Sequence, residues 1–189
     1  IQVMKTETKI AKALHLPVQS GSSAILAKMN RHYDIKHYKN IIKKLKRAIP
    51  NIALSTDIIV GFPGETEKDF NLTLKLLKKV KYDQVFAFMY SPRSGTPAST
   101  FLDQVPDDIK NKRINKLLRL QKLIQKDQTK KYFKKTYDCL IRLEHGVAVG
   151  ITDGGKEIYI PNYKYTNQNY FARVRVEDIR NHKLSGVIK

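Results

Sequence analysis

Cysteine is almost absent from this chain: Cys139 stands alone among 189 residues. That excludes an intrachain disulfide framework, and equally any zinc ribbon or iron–sulfur cluster held by the chain's own thiols. A lone thiol points instead to a reducing, cytoplasmic compartment. Long apolar runs are missing too, and nothing approaches the eighteen residues that a membrane span requires. The opening segment Ile1–Ile10 mixes Lys5, Glu7 and Lys9 with its apolar residues and is no secretory leader. Ile in place of Met at position 1 suggests a piece cut from a longer protein. Acidic residues are scarce, with 17 Asp+Glu against 36 Lys+Arg for a net charge of +19. Such an excess favours a polyanionic partner, of which nucleic acid is the usual one. No Walker loop, no Ser/His/Asp spacing and no metal-binding pair of histidines is present.

What is there is a core-forming composition, 41% hydrophobic, laid out as strand and helix in alternation over the first two thirds. Ala13–Gln19 reads as a short strand ending in the polar turn Ser20-Gly21-Ser22-Ser23, with a brief helix over Ala24–Met29. Asp34 suits the N-cap of a helix whose apolar stripe runs Ile35, Tyr38, Ile41, Ile42, Leu45, Ile49. Ile52–Val60 is a β-branched strand running into Gly61-Phe62-Pro63-Gly64, and Thr66 caps the helix that follows. Tyr82–Tyr90 is a third strand, emptying into Ser91–Pro97, and a long basic amphipathic helix extends from Pro106 to about Lys131. Beyond residue 132 short alternating stretches at Tyr137–Leu143, Val147–Ile151, Glu157–Ile160 and Phe171–Val176 predict a small antiparallel β-barrel of about five strands. The expected division is 1–131 and 132–189.

Three strand–helix units in series imply parallel strands with right-handed crossovers. Their C-terminal loops, Gln19–Ser23, Gly61–Thr66 and Ser91–Pro97, would then share one rim, where ligands bind in such sheets. Gln19 and Ser20 could bond a ribose or amino-acid head group, or simply satisfy a turn. Gly61 and Gly64 let backbone approach a ligand closely, or merely form a rigid connection. Asp57 sits inside an apolar strand, so it either holds a ribose hydroxyl or pairs with a buried Lys or Arg. Arg93, stiffened by Pro92 and Pro97, could fork onto a carboxylate or phosphate. His15 alone reads as a satisfied core histidine.

Several of these residues also fall into long ordered motifs. His15-Leu16-Pro17-Val18-Gln19-Ser20-Gly21-Ser22, Ser55-Thr56-Asp57-Ile58-Ile59-Val60-Gly61-Phe62-Pro63-Gly64-Glu65-Thr66, Tyr90-Ser91-Pro92-Arg93-Ser94-Gly95-Thr96-Pro97-Ala98 and Asp103-Gln104-Val105-Pro106 stand in that order. The chain thereby resembles the radical S-adenosylmethionine methylthiotransferases over about residues 10–130. Its tail resembles the TRAM domain that follows in them.

The resemblance implies an α/β fold: the C-terminal half of a partial (β/α)6 barrel, then a small RNA-binding barrel. It implies S-adenosylmethionine as cofactor, and two 4Fe–4S clusters held by missing N-terminal domains. Neither cluster can be bound here, so the fragment itself should be inactive and carry no catalytic or metal-ligating residue. By carry-over, Gln19, Ser20, Ser55, Asp57, Gly61, Gly64 and Glu65 should face S-adenosylmethionine, with Arg93 near the cofactor or the target nucleotide. Gln19-Ser20 stands where the ribosomal-protein-modifying branch has Gln-His. The tail holds 12 Lys+Arg and 6 Asp+Glu from residue 130 on, a net of +6 that suits RNA. Together these indicate the tRNA branch acting on isopentenyladenosine, with the threonylcarbamoyladenosine branch as alternative. The implied partner is a tRNA anticodon stem-loop, met by Lys156, Arg173, Arg175 and Arg180 interleaved with Tyr159, Tyr163, Tyr165 and Tyr170. A non-catalytic RNA-binding module is the reading from another class.

Overall fold

The computed structural model describes residues 1–161, 163, 169–181 and 183–189; Tyr165 lies outside them. Three parallel strands, β1 (Ala13–His15), β2 (Ala53–Val60) and β3 (Gln84–Met89), form a sheet in the order β1-β2-β3. Between and after them come α1 (Gln2–Thr6), α2 (Ser23–Lys28), α3 (Ile35–Ala48), α4 (Glu67–Val80) and α5 (Asp107–Lys130). The helix signals are local and chemical. Ser22 accepts from Ile25 N, and Asp34 from His37 N. Thr66 and Asp69 close a reciprocal capping box that satisfies two otherwise orphan amides at the start of α4. Gly21 allows α4 to lie hard against the first rim loop, since a Cβ there would sit 2.4 Å from the Thr73 Cα.

Strict alternation along β2 sets the layers. Leu54, Thr56, Ile58 and Val60 are buried, whereas Ala53, Ser55, Asp57 and Ile59 are half-buried. The buried set joins Phe70, Leu77, Tyr82 and Leu117 in one apolar core. The other face bears no helix, and leaves Phe86 and Phe88 exposed at 42% and 54%. The sheet is thus covered by helices on one face and open on the other.

The first strand is shorter than its apolar run. Pro17 has no N–H to give the ladder, and the Val18 amide donates instead to the Thr56 hydroxyl at 2.9 Å. Pairing resumes as a single bridge between Gln19 and Ile58, with Gln19 in the left-handed region at φ 65°. The segment is therefore a bulged strand rather than a continuous one.

After α5, β4 (Thr136–Glu144), β5 (Val147–Thr152), β6 (Glu157–Ile160), β7 (Tyr170–Arg180) and β8 (Lys183–Ile188) close into a barrel in the order β4-β5-β6-β8-β7. It has five strands but is not wholly antiparallel, because β6 and β8 pair in parallel. A chain that closes a five-strand barrel by returning past β7 must enter its last seam in one direction only. The strand β8 was also unmarked in the sequence, because Ser185 and Gly186 interrupt its apolar pattern. Cys139, Ile141, Ile158 and Val174 fill the interior.

Candidate functional site

All three strands run in one direction, so the loops Gln19–Ser22, Gly61–Thr66 and Ser91–Pro97 lie at one end of the sheet. Beside them opens a cleft of about 500 Å³. Its polar groups are Gln19, Asp57, Ser91, Arg93 and Thr96, and its wall is Ile59, Phe62, Phe88, Met89, Tyr90 and Ala98. The loop bearing Arg93 is shaped by its own hydrogen bonds, Thr96 Oγ1 donating to the Arg93 carbonyl at 2.8 Å. The guanidinium remains exposed. Phe62 packs edge-on against Tyr90 at 5.1 Å and joins the second rim loop to the third.

Of the expected site residues, Gln19, Asp57 and Arg93 meet in this cleft and the others do not line it. Ser20 is fully buried and accepts from Ser22 N within its turn. The Glu65 side chain is 1% exposed and turns inward. Its carboxylate accepts from Gly61 N at 2.8 Å and from Arg113 Nη1 at 2.8 Å, and Arg113 also donates to the Glu65 carbonyl. Burial pushes the Glu65 carboxyl above its ordinary value, against the pull of the Gly61 amide and Arg113. Gly61, at φ +72°, sits under the Lys110 stem, and Gly64, at φ +77°, under the Lys28–Asp103 ion pair. These residues brace the rim loop from behind; the loop's chemistry is spent on its own shape.

Among the described residues no buried Lys or Arg pairs with Asp57; its neighbour is His15, with Nε2 3.4 Å from Asp57 Oδ1. His15 is no core residue either: it is half exposed on the open sheet face, and its Nδ1 lies 2.9 Å from Ser55 Oγ. Ser55 thus belongs to the face below the cleft. The apolar wall of Ile59, Phe88 and Met89 escaped the loop-centred reading. The signal was present in the register, which pairs Asp57 with Phe86 and Ile59 with Phe88 and so sets these aromatics on the open face of the sheet.

A second cavity of about 290 Å³ lies at the opposite end of the strands, between Ala13, Ala53 and Gln84 and the β5–β6 turn with Gly154, Gly155 and Lys156. Lys12 N donates to Asp153 Oδ1 at 3.0 Å across this junction. Lys156 therefore stands at the far end from Arg93. Arg175 and Arg180 are paired with Glu177 at 3.3 Å and Asp178 at 2.6 Å. Arg173 is exposed and carries no ion pair among the described residues, next to Phe171, which is 81% exposed. The Tyr170 and Tyr163 hydroxyls bond each other, and Lys183 lies over the Tyr159 ring.

The polar lining, the apolar wall and the volume of the rim cleft fit an adenosyl group. The chain's one cysteine, Cys139, is 1% exposed inside the small barrel, and no group of three or more His, Cys, Asp or Glu among the described residues could hold a metal ion. No helix among the described residues is long and apolar enough to cross a membrane.

Residues 2–77 match the family model of the radical SAM superfamily. A tRNA-2-methylthio-N(6)-dimethylallyladenosine synthase of Clostridium botulinum is 56% identical over 133 residues, 70% of this chain and 30% of the relative. The synthase of the same name from Aquifex aeolicus is 47% identical over 157 residues, 82% of this chain and 36% of the relative. The chain thus spans about a third of the length of these curated relatives. Among solved structures, the radical SAM enzyme coproporphyrinogen III oxidase from Escherichia coli matches with TM-score 0.52 and 14% identity, covering 88% of this chain and 41% of its own. That likeness is one of fold.

Proposed function

We propose that the chain belongs to the radical S-adenosylmethionine methylthiotransferase family, as the C-terminal half of the barrel, plus a TRAM-type RNA-binding barrel, of an enzyme that methylthiolates N6-dimethylallyladenosine in tRNA. The observation that carries this reading is the rim cleft itself, where Gln19, Asp57 and Arg93 converge against Ile59, Phe88 and Met89. S-adenosylmethionine, when bound, supplies the radical and the methyl group. This chain's residues hold and orient. Asp57 and Gln19 offer an acceptor and an amide to ribose hydroxyls. Arg93 offers a planar donor fork to phosphate.

The wall also favours one branch over the other. A dimethylallyl group has no hydrogen-bonding atoms and gains by covering exposed Phe88 and Met89. A threonylcarbamoyl group carries a carboxylate and amides, which gain nothing from that wall and would have to reach Arg93 or Gln19 instead. The tRNA anticodon stem-loop as partner, and two 4Fe–4S clusters on preceding domains, belong to the same proposal.

The test is the full-length protein, purified and reconstituted without oxygen and supplied with tRNA bearing dimethylallyladenosine or threonylcarbamoyladenosine. The expected product is 2-methylthio-N6-dimethylallyladenosine. Product on the threonylcarbamoyl substrate alone would transfer the assignment to the sister branch, and no product on either would remove it.

A further inference from the structure

We propose that His15 is a positioning residue for Asp57: a line Ser55–His15–Asp57 across β1 and β2 fixes which carboxylate oxygen faces the rim cleft and how strongly it accepts. This rests on the reading of the cleft as a nucleoside site, and deepens it.

The placement follows from the ladder. The register sets His15 opposite Ser55, and Asp57 lies one alternation further along the same face of β2. The His15 ring spans the two, Nδ1 to Ser55 Oγ at 2.9 Å and Nε2 to Asp57 Oδ1 at 3.4 Å. An ionised carboxylate can only accept, so the proposed line takes the tautomer with its proton on Nε2. In the neutral ring Nδ1 is then bare, and the Ser55 hydroxyl must be its donor. Phe86 from β3 meets the imidazole edge-on, with centroids 5.8 Å apart and planes at 71°, and limits ring rotation. With Oδ1 engaged, Oδ2 has no partner among the described residues, while Asp57 lines the cleft. That leaves one directed acceptor, the arrangement a ribose hydroxyl needs. A histidine held by a second polar group so that it orients a working carboxylate is a common device in sites that require geometry.

The charged surroundings are few. Arg93 shares the cleft with Asp57. Asp83 and Lys156 line the cavity on the other side of His15, and β3 contributes uncharged Gln84 and Phe86.

The hydroxyls belong either to S-adenosylmethionine or to the target nucleoside, and separate KM values for the two tell them apart. In the active full-length enzyme His15→Leu should raise KM for one co-substrate roughly five-fold or more, with kcat within about two-fold. His15→Gln, which keeps a donor, should recover most of that loss. Unchanged KM values for both co-substrates, or a Gln variant as poor as Leu, would overturn the proposal. A second measurement needs no activity. In the 189-residue chain, ring-nitrogen NMR should show His15 protonated on Nε2, with nitrogen resonances that move in Asp57→Asn. An Nδ1-protonated ring, or nitrogen resonances indifferent to Asp57→Asn, would overturn it just as fully. Failure of the functional reading looks different, namely a wild-type enzyme that forms no methylthio product while His15 and Asp57 remain coupled.

Discussion

Arg113→Met is the sharpest perturbation of the rim that leaves its surface untouched. Arg113 and Glu65 are buried, with side chains 8% and 1% exposed, and meet at 2.8 Å. Methionine keeps an apolar stem where the guanidinium lay over Phe70 at 5.7 Å, so packing loss is small and charge is the main change. What remains is a buried carboxylate with the Gly61 amide as its one hydrogen-bond donor, and a Glu65 carbonyl stripped of its partner. Removing one member of a buried ion pair costs about 3–5 kcal/mol. For a chain of this size that lowers Tm by about 6–20 °C. The pH dependence is the diagnostic part. Burial already holds the Glu65 carboxyl above its ordinary value, and loss of Arg113 raises it further. A carboxyl with a raised folded-state pKa binds its proton more readily folded than unfolded, so falling pH through that folded value stabilises the variant. Urea unfolding of both proteins, followed by circular dichroism from pH 8 to pH 5, should show the deficit largest at pH 8 and shrinking on acidification. The double variant Glu65→Gln/Arg113→Met should recover a large part of it. A deficit below about 1 kcal/mol, or one that ignores pH, would show that this pair does not hold the rim loop in place.

Glycine substitutions separate crowding from backbone strain. Gly64→Ala and Gly155→Ala both place a side chain at positive φ, but the added methyl meets Lys28 Nζ at 1.9 Å in the first case and nothing within 4 Å in the second. Gly155→Ala should cost about 1–2 kcal/mol, and Gly64→Ala more, with loss of the Lys28–Asp103 pair; equal thermal shifts would refute the crowding argument. Burial pushes the Cys139 thiol up to about 11, so it should ignore a disulfide reagent at pH 8 in the folded protein and react once urea unfolds the barrel. Rapid reaction without urea would contradict its placement. For RNA affinity, Arg173→Gln should lower the salt slope of log K by ~0.7–0.9, whereas Arg175→Gln and Arg180→Gln should each change it less, because neighbouring carboxylates already engage them. Equal slopes for all three would count against that ranking.

The sequence displayed those features whose cause is local. Asp34 and Thr66 announced their helices because a cap is one side chain acting on an amide three residues on. The three rim loops were legible because Gly, Pro and Ser cluster where a strand stops. What stayed hidden depends on partners distant in the chain. Glu65 looked like a ligand-facing acid until Arg113, 48 residues later, took its carboxylate. His15 looked like a core histidine because nothing in its own segment tells that β2 turns Ser55 and Asp57 toward it. The parallel seam between β6 and β8 is a property of barrel closure and leaves no mark in either strand.

The two ends of the molecule also constrain how an RNA can use it. The first turns of α5 brace the rim, with Lys110 against Gly61 and Arg113 on Glu65. The last turns cap the opposite end of the sheet, where Gln121, Gln125 and Gln128 donate to the carbonyls of Tyr82, Asp83 and Lys81. With 24 residues the helix measures about 36 Å, and the small barrel begins at its far end. On the proposed function, a nucleotide in the rim cleft and a phosphate at Lys156 or Arg173 therefore belong to well-separated parts of one RNA. The small barrel would then act as a remote anchor that sets orientation, while selection of the base falls to the cleft. Barrel variants should accordingly weaken every tRNA alike. Changes at Phe88 or Met89 should instead alter the preference between a dimethylallylated adenosine and a bare one, measured as the ratio of kcat/KM for the two substrates. If Arg173→Gln shifted that ratio while Phe88→Ser left it unchanged, this division of labour between the two ends would be wrong.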